Sequence, residues 1–327
     1  MSDEEDTQAD IAVPESQDID ISETFVPPSI ITDRILASET YTYHSEIPAE
    51  ILSDLSAPCI LGVDEAGRGP VLGPMVYAVA YIQKPTESIL RTNKFDDSKK
   101  LTASYRSTLL QKTCTPDTDL HSSLGWSTLL LSPRDISAGM LRAAGAGAYN
   151  LNAQAHDATA TLIREVIAMG VNVTEIFVDT VGSPESYQAK LAKQFPSASV
   201  TVAKKADSLF PIVSAASVCA KVTRDAAIEI FMEAEATPLG SGYPGDEKTK
   251  NWLRETVDPV FGWDGRVARF SWRTVRDMLE GKGARAVEAD WPDEDDDMGT
   301  QKITGFFGED GGKGLAGWYG KSVQADF

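Results

Sequence analysis

The chain has 327 residues, of which 42% are hydrophobic, and a formal net charge of −19. Its three cysteines lie far apart without ligand spacing, which argues against a zinc site or a disulfide framework. An acidic N-terminal start and the absence of an apolar run long enough to cross a bilayer argue against a leader sequence and a membrane protein. We therefore expect a soluble intracellular protein with a sizeable core.

Most of the acidic charge lies at the two ends of the chain. Residues 1–48 contain 12 acidic and 1 basic residue, and residues 281–327 contain 10 and 5. Segments of this composition bury too little apolar surface to fold, so we predict a disordered tail over each range. The 27 acidic and 24 basic residues of 49–280 nearly cancel, and such a region can gather Lys and Arg along a groove for a phosphate-bearing partner.

Two apolar runs, 59–63 and 75–82, flank a turn rich in Gly and Pro. This pattern predicts two neighbouring buried strands. Asp64 and Glu65 lie where the first strand should be most buried. An unpaired carboxylate there costs roughly several kcal/mol or is protonated and loses its charge. The pair of acids therefore predicts a bound cation.

The turn itself, with Gly67, Gly69 and Gly73, has four possible interpretations. A dinucleotide-binding loop should open a helix, but a strand-like run follows here, and no Gly-Lys-Ser/Thr sequence marks a phosphate-binding loop. A glycine-rich turn alone is most often a plain hairpin. The adjacent acids favour instead a turn whose backbone N–H groups approach a ligand.

Further along, periodicity and capping residues predict alternating helices and strands. Thr102 should cap a helix over 103–113, and a helical pattern over 133–169 should break near Gly145 and Gly147. Strands are predicted over 126–131, 175–179 and 199–203, and helices over 186–195, 213–235, 247–256 and 273–279. The order indicates an α/β domain over 49–235, followed by a smaller C-terminal helical region over 236–280.

Two more acids stand at strand ends, Asp179 and Asp207. Either one alone is typical of a turn. Together with Asp64 and Glu65 they predict a cluster of carboxylates, since acids at the ends of separate strands fit an α/β domain with its site at the strand termini. Such hard oxygen ligands suit Mg²⁺ or Mn²⁺ better than zinc.

Long segments resemble type 2 ribonuclease H, the ribonuclease HII family, and in particular the catalytic subunit of its eukaryotic three-subunit form. They read GVDEAGRGPVLGP over 62–74, DSK over 97–99, FVDTVG over 177–182, KADSLFPIVSAAS over 205–217, GSGYP over 240–244 and VARFSWR over 267–273. The resemblance implies an α/β ribonuclease H-like fold, with a central mixed β-sheet flanked by helices. It implies an endoribonuclease that hydrolyses the RNA strand of RNA–DNA hybrids and cuts 5′ of single ribonucleotides in duplex DNA, leaving a 5′-phosphate and a 3′-hydroxyl.

The resemblance also implies roles for individual residues. Two divalent ions would be held by Asp64, Glu65, Asp179 and Asp207. The ribose 2′-OH would be contacted by Gly67, Arg68 and Gly69, the ribose-to-deoxyribose junction by Tyr243, and a phosphate by Lys99. The resemblance implies two accessory subunits and a nuclear location. It also implies a role in ribonucleotide removal and in the processing of replication primers.

A short apolar run interrupts the C-terminal acidic tail. Ile303, Phe306 and Phe307 have the spacing of the peptide by which replication proteins dock on the sliding clamp, although Thr300 stands where that motif prefers Gln. The same run could dock on the accessory subunits, and both hypotheses remain open.

Two other functions fit the acids less specifically. A DNA nuclease or phosphatase could use the same carboxylate cluster, and a non-catalytic scaffold could bind hybrids without cutting them. Cleavage of a duplex with one embedded ribonucleotide, without cleavage of all-DNA duplex, separates these from a ribonuclease. A further residue, His156, has no partner at ligand spacing, so we assign it no chemistry.

Overall fold

In the computed structural model, residues 25–95, 101–142, 149–180, 183–234 and 238–280 are described. The strands of these residues form one six-stranded mixed sheet in the order β1-β4-β3-β2-β5-β6. They are β1 (Tyr41–His44), β2 (Cys59–Ala66), β3 (Met75–Gln83), β4 (Gly125–Leu131), β5 (Val173–Asp179) and β6 (Ser199–Ala203). Strands β1 to β4 pair antiparallel, whereas β5 pairs parallel with both β2 and β6.

Twelve α-helices accompany this sheet in the described part of the chain, and those that pack on it cover both of its faces. They are α1 (Thr32–Leu36), α2 (Ala49–Ser53), α3 (Ser88–Thr92), α4 (Ala103–Cys114), α5 (Asp119–Ser123), α6 (Pro133–Met140), α7 (Leu151–Ala168), α8 (Pro184–Gln194), α9 (Ala206–Leu209), α10 (Pro211–Ala234), α11 (Glu247–Thr256) and α12 (Arg273–Glu280). A short 3₁₀ helix spans Lys84–Thr86. The predicted mixed sheet with flanking helices is confirmed.

Helix boundaries follow the local capping chemistry. Thr102 caps α4 as predicted, since its hydroxyl accepts a 3.2 Å hydrogen bond from the backbone N–H of Tyr105. The helix predicted over 133–169 is in fact two helices, α6 and α7, and the second starts where Asn150 accepts from the N–H of Ala153 at 3.0 Å. Gly145 and Gly147 lie outside the described residues.

Helix α10 packs close against one face of the sheet because its inner face carries small side chains. Ser214, Ala215, Ala216 and Ala220 are all fully buried there. Gly62 of β2 faces this helix, and a Cβ at that position would lie 2.6 Å from the backbone nitrogen of Val213. On the opposite face, α7 buries the side chains of Leu162, Ile163 and Val166. The two helices thereby fix the position of β2, the strand that carries Asp64 and Glu65.

The structure corrects the predicted boundary of the N-terminal tail. Residues 25–48 are part of the fold: they contain α1 and β1, and β1 pairs with β4. Ser29 is fully buried and its hydroxyl lies 2.8 Å from that of Thr223 in α10, while the Tyr41 hydroxyl donates to the carbonyl oxygen of Ser29 at 2.8 Å. Residues 1–24 lie outside the described part of the chain.

Residues 238–280 pack onto the same core as α10. Trp252, Trp263 and Val275 are buried in it, and Leu72 and Ala268 form an isolated β-bridge. None of the described helices is both long and apolar enough to span a membrane. The range 281–327, including Ile303, Phe306 and Phe307, lies outside the described residues.

Candidate active site

The four acids singled out in the sequence come together at one edge of the sheet. Asp64 and Glu65 lie near the end of β2, Asp179 is the last residue of β5, and Asp207 lies in α9 just after β6. All four line one open cavity of about 560 Å³. The parallel pairing of β2, β5 and β6 places these strand ends side by side, which is why residues far apart in the chain meet here.

The cavity holds its carboxylates in an electrostatically unfavourable setting. Burial raises the pKa of Asp64 well above its usual value, and the neighbouring charges of Glu65 and Asp179 add to the rise. Burial also raises the pKa of Glu65 to about 7, partly offset by the guanidinium of Arg68. Both groups are therefore stabilised as carboxylates by any cation that enters the cavity.

Polar contacts fix two of the acids in place. Asp64 accepts a hydrogen bond of 2.8 Å from the backbone N–H of Glu65 and another from the Ser217 hydroxyl, which lowers its pKa. Asp179 accepts from the backbone N–H of Ala206 at 2.8 Å, so the end of β5 is tied to the start of α9.

The donor set fits a hard divalent cation that keeps part of its water shell. Within the described ranges, no three carboxylate, imidazole or thiol groups are gathered closely enough to enclose one ion by themselves. Mg²⁺ seldom uses such a cage: it binds through one or two carboxylates, with water and substrate phosphate supplying the other ligands. Asp64, Glu65, Asp179 and Asp207 offer oxygen ligands of that kind around an open cavity.

The glycine turn beside the acids needs glycine at two positions. Gly67 has φ +83° and Gly73 has φ +78°, in the left-handed region. A Cβ on Gly67 would lie 2.8 Å from the carbonyl oxygen of Pro74, and one on Gly73 would collide with the side chain of Ile228. Gly67, Arg68 and Gly69 line the cavity of the acids, so the turn exposes its backbone to the same space.

Tyr243 reaches the cavity from the loop between α10 and α11. Its side chain is 47% exposed, and the ring stands so close to the glycine turn that a Cβ on Gly69 would be 3.4 Å from ring carbon Cε1. The structure therefore brings Tyr243 together with the four acids and the turn. Lys99 lies outside the described residues.

Arg269 is a part of the site whose role the sequence did not reveal. It is fully buried, and its guanidinium donates to the carbonyl oxygens of Gly67 and Gly73 at 2.8 Å each and to that of Arg68 at 3.5 Å. Burial lowers its pKa to about 9, with the charge of Arg224 adding to the effect. The arginine remains charged at neutral pH and holds the turn through three carbonyl groups.

Four basic residues also line the cavity, and three of them were not assigned a role from the sequence. Besides Arg68 they are Arg106 on α4 and Lys221 and Arg224 on α10. On α10, Ser217, Lys221 and Arg224 follow at spacings of four and three, so one polar face of an otherwise apolar helix meets the cavity. That polar stripe was a signal available in the sequence.

A smaller cavity of about 140 Å³ lies behind Glu65, Arg68 and Asp179. The Arg68 guanidinium donates to the side-chain oxygen of Asn152 at its edge. His156 lines this space, stacks on Tyr187 with ring centroids 4.1 Å apart, and has its pKa lowered by burial and then by Lys190. The structure therefore gives His156 a packing role.

Comparison with known proteins identifies the family. Residues 61–275 match the family model described as Ribonuclease HII. The chain belongs to the ribonuclease HII family. It is 53% identical to one subunit of ribonuclease H2 from Neurospora crassa over 285 residues, which cover 86% of this chain and 88% of that protein. The corresponding ribonuclease H2 subunit of Homo sapiens is 49% identical over 259 residues, covering 78% and 83%.

Solved structures of ribonuclease HII proteins have the same fold. The crystal structure of ribonuclease H2 from Pyrococcus horikoshii matches with a TM-score of 0.56 and 32% identity, covering 67% of this chain and 96% of that one. The RNase HII of Archaeoglobus fulgidus, solved in a complex with PCNA, matches with a TM-score of 0.51 and 29% identity, covering 60% and 87%. The resemblance found in the sequence is confirmed, and this ribonuclease HII chain is an endonuclease that hydrolyses the RNA strand of RNA–DNA hybrids.

Proposed function

We propose that this ribonuclease HII also cuts 5′ of single ribonucleotides embedded in duplex DNA, leaving a 5′-phosphate and a 3′-hydroxyl. Its biological role is then removal of ribonucleotides from DNA and processing of replication primers. One observation carries the proposal: the four acids, the Gly67–Gly69 turn and Tyr243 line the same cavity. Groups suited to phosphodiester cleavage thus lie next to groups suited to reading a sugar.

In this proposal, Asp64, Glu65, Asp179 and Asp207 hold two Mg²⁺ or Mn²⁺ ions. Such ions, when bound, activate the attacking water and stabilise the departing 3′-oxygen. The raised pKa values of Asp64 and Glu65 support the assignment, because buried, mutually repelling carboxylates gain most from a nearby cation. The Ser217 hydroxyl and the backbone of Ala206 orient Asp64 and Asp179 toward the cavity.

The glycine turn is the proposed reader of the ribose. A ribonucleotide in DNA differs from its neighbours by its 2′-OH, which both donates and accepts hydrogen bonds. The Gly67–Gly69 turn presents backbone groups without a Cβ at Gly67 or Gly69, and Arg269 holds its carbonyl groups in fixed directions. Tyr243 is then placed to stack on the sugar at the ribose-to-deoxyribose junction, since its exposed ring lies beside Gly69.

The proposed partners follow from the family. The relatives are named as one subunit of ribonuclease H2, which supports an enzyme of several subunits. Two accessory subunits, a phosphate contact at Lys99 and a nuclear location belong to the same proposal. Because the A. fulgidus relative was solved with PCNA, we propose that Ile303, Phe306 and Phe307 dock on a sliding clamp. Docking of the same segment on the accessory subunits is the alternative outcome.

The decisive test is cleavage, with Mg²⁺ or Mn²⁺ and with or without candidate accessory subunits, of three duplexes: one with a single embedded ribonucleotide, an RNA–DNA hybrid and an all-DNA duplex. We expect cleavage of the first two only. Asp64→Asn and Asp207→Asn should abolish cleavage with an unchanged fold, because the amide removes a charge needed for ion binding. Asp117→Asn, in a left-handed turn outside the cavity, is the control. Activity retained by Asp207→Asn contradicts the metal assignment.

Tyr243 is tested on the same substrates. Tyr243→Ala should reduce cleavage at the single ribonucleotide by about tenfold to a hundredfold, given roughly 1–3 kcal/mol for stacking on an aromatic ring. The loss on a long hybrid should be smaller, because a hybrid offers many ribonucleotides without a junction. Equal losses on both substrates count against a junction role.

A further inference from the structure

Arg224 lies in α10 at the border of the cavity and is largely buried. Its exposed fraction is 9%, and its Nη2 donates to the carbonyl oxygen of Ser241 at 3.1 Å. Its carboxylate partner, Asp225, is 48% exposed and contacts Nη1 at 3.2 Å. A half-exposed ion pair contributes little to stability, so pairing with Asp225 does not account for burial of this guanidinium.

The side chain fills the space between two turns that are bonded to each other. The backbone N–H groups of Val71 and Leu72 donate to the carbonyl oxygen of Gly242 at 2.8 and 3.2 Å. A Cβ on Gly67 would lie 3.3 Å from Cγ and Nε of Arg224, and one on Gly242 would lie 3.5 Å from Nη2. The Arg224 side chain therefore lies between the Gly67–Gly69 turn and the Ser241–Tyr243 loop.

The same guanidinium lies under the ring of Tyr243. The distance from Cζ of Arg224 to the ring centroid is 5.7 Å, within the range of a cation–π interaction. Tyr243 is 47% exposed, so a large part of its surface faces the cavity and solvent and is not held by protein contacts. Arg224 thus contacts the ring, the backbone of the loop that carries it, and the turn on its other side.

We infer that Arg224 is a positioning residue that couples the two proposed readers of the substrate. By holding the Tyr243 ring at a fixed spacing from the Gly67–Gly69 turn, it lets the ribose and the following deoxyribose be recognised together. The inference rests on the roles proposed above for the turn and for Tyr243. Small displacements of positioning groups lower rates strongly, which makes the coupling measurable.

Steady-state kinetics of Arg224→Lys and Arg224→Met provide the first test. On the single-ribonucleotide duplex, we expect kcat of Arg224→Met to fall about tenfold to a hundredfold, roughly the effect of losing a desolvated cation–π contact together with alignment. Arg224→Lys keeps the charge and should recover part of the rate. Both substitutions should reduce the rate of cleavage of a long RNA–DNA hybrid by a smaller factor. Arg34, which lies in α1 and outside the cavity, is the matched control, since its guanidinium lies 4.8 Å over the ring of Tyr41 in β1. Arg34→Met should leave the ratio between substrates unchanged.

A double-mutant cycle separates coupling from a general structural role. If Arg224 acts through Tyr243, the variant carrying both Arg224→Met and Tyr243→Ala should cut the single ribonucleotide no more slowly than Tyr243→Ala alone. Multiplied losses overturn the inference. Where Tyr243→Ala itself affects the two substrates unequally, equal losses of activity on both substrates in Arg224→Lys, with an unchanged melting temperature, overturn it as well.

An NMR experiment tests the position of the Tyr243 ring independently of the proposed function. With 3-fluorotyrosine at position 243, the ¹⁹F resonance should shift in Arg224→Lys and stay in place in Arg34→Lys. If Tyr243→Ala slows both substrates equally, the junction role of Tyr243 fails, whereas the positioning inference is judged by this resonance. An unchanged resonance in Arg224→Lys overturns the inference whatever the substrate preference.

Discussion

The guanidinium of Arg269 donates a 2.8 Å hydrogen bond to the carbonyl oxygen of Gly67, although 202 residues separate the two in the chain. A second donor reaches Gly73 at the other end of the same turn, also at 2.8 Å. The C-terminal segment thereby holds a turn that begins immediately after β2, the strand that carries Asp64 and Glu65. Trp272 adds to this contact, because its ring lies 4.8 Å from the Arg269 guanidinium and its Nε1 donates to the carbonyl oxygen of Gly69.

Replacing Arg269 should therefore destabilise the protein and also slow cleavage of the substrate. Arg269→Met leaves buried carbonyl groups of Gly67 and Gly73 without their charged donor, and hydrogen bonds to charged groups contribute about 1.5–3 kcal/mol each. We expect the free energy of unfolding to fall by about 3 kcal/mol or more in chemical denaturation. Arg134→Met, at an exposed arginine, should change it by less than about 0.5 kcal/mol. Comparable values for the two variants would argue against this role.

Close approach of α10 to β2 makes Gly62 a sensitive position. A Cβ there would lie 2.6 Å from the backbone nitrogen of Val213, and backbone atoms cannot move aside as a flexible side chain can. Gly62→Ala should therefore displace β2, lower the free energy of unfolding by about 2–4 kcal/mol and reduce cleavage, because Asp64 lies two residues on. Gly245→Ala is the control, since a Cβ there meets nothing within 4 Å. A fully active and stable Gly62→Ala protein would contradict the account.

Local sequence patterns were sufficient to predict the centre of the site. The β2–β3 hairpin showed as two apolar runs around a glycine turn, and Asp179 and Asp207 stood at recognisable strand ends. The polar stripe of Ser217, Lys221 and Arg224 was visible in the sequence of α10, but the burial of Arg224 and of Arg269 was not, because a basic residue normally stays in water. They become buried because the glycine turn, α10 and the C-terminal segment pack against each other in the fold. Local sequence patterns do not predict such long-range packing.

Because the pKa of Glu65 is raised, we expect the metal-free protein to become less stable as the pH rises. The folded-state pKa is raised from 4.5 to about 7, chiefly by burial. Between these values the folded protein binds more protons than the unfolded chain, so this group's contribution to stability is present at low pH and is lost as pH rises through about 7. Glu65→Gln cannot titrate and should remove this part of the slope.

The measurement is the free energy of unfolding in EDTA at several pH values between about 5 and 8. We expect wild type to lose more stability than Glu65→Gln across this range, while Asp64 contributes a fall of the same sign to both. Adding Mg²⁺ at the upper end should restore wild type more than the variant, since a cation favours the charged carboxylate. Parallel pH profiles of the two proteins would show that Glu65 does not titrate as described.

The N-terminal segment shows why composition misplaced the start of the fold. Residues 1–48 are acidic on average, yet their last half contains β1, whose four residues pair with the distant strand β4. Average charge describes the whole range, whereas β1 depends on a short Tyr-Thr-Tyr-His pattern and on a partner strand that sequence alone does not reveal. Tyr41, 4% exposed, and Ser29, fully buried, are the anchors.

This correction is testable by comparing a chain that begins at residue 25 with one that begins at residue 49. The shorter chain loses β1, so β4 becomes an edge strand with unpaired backbone groups, and the buried Ser29–Thr223 contact to α10 is lost as well. We expect a lower melting temperature and concentration-dependent association for the chain starting at 49. Tyr41→Ala in the longer chain isolates the packing contribution and should cost about 2–4 kcal/mol, because a large buried ring is removed. If both chains melt at the same temperature, residues 25–48 add nothing to the fold, and the boundary predicted at residue 48 was correct.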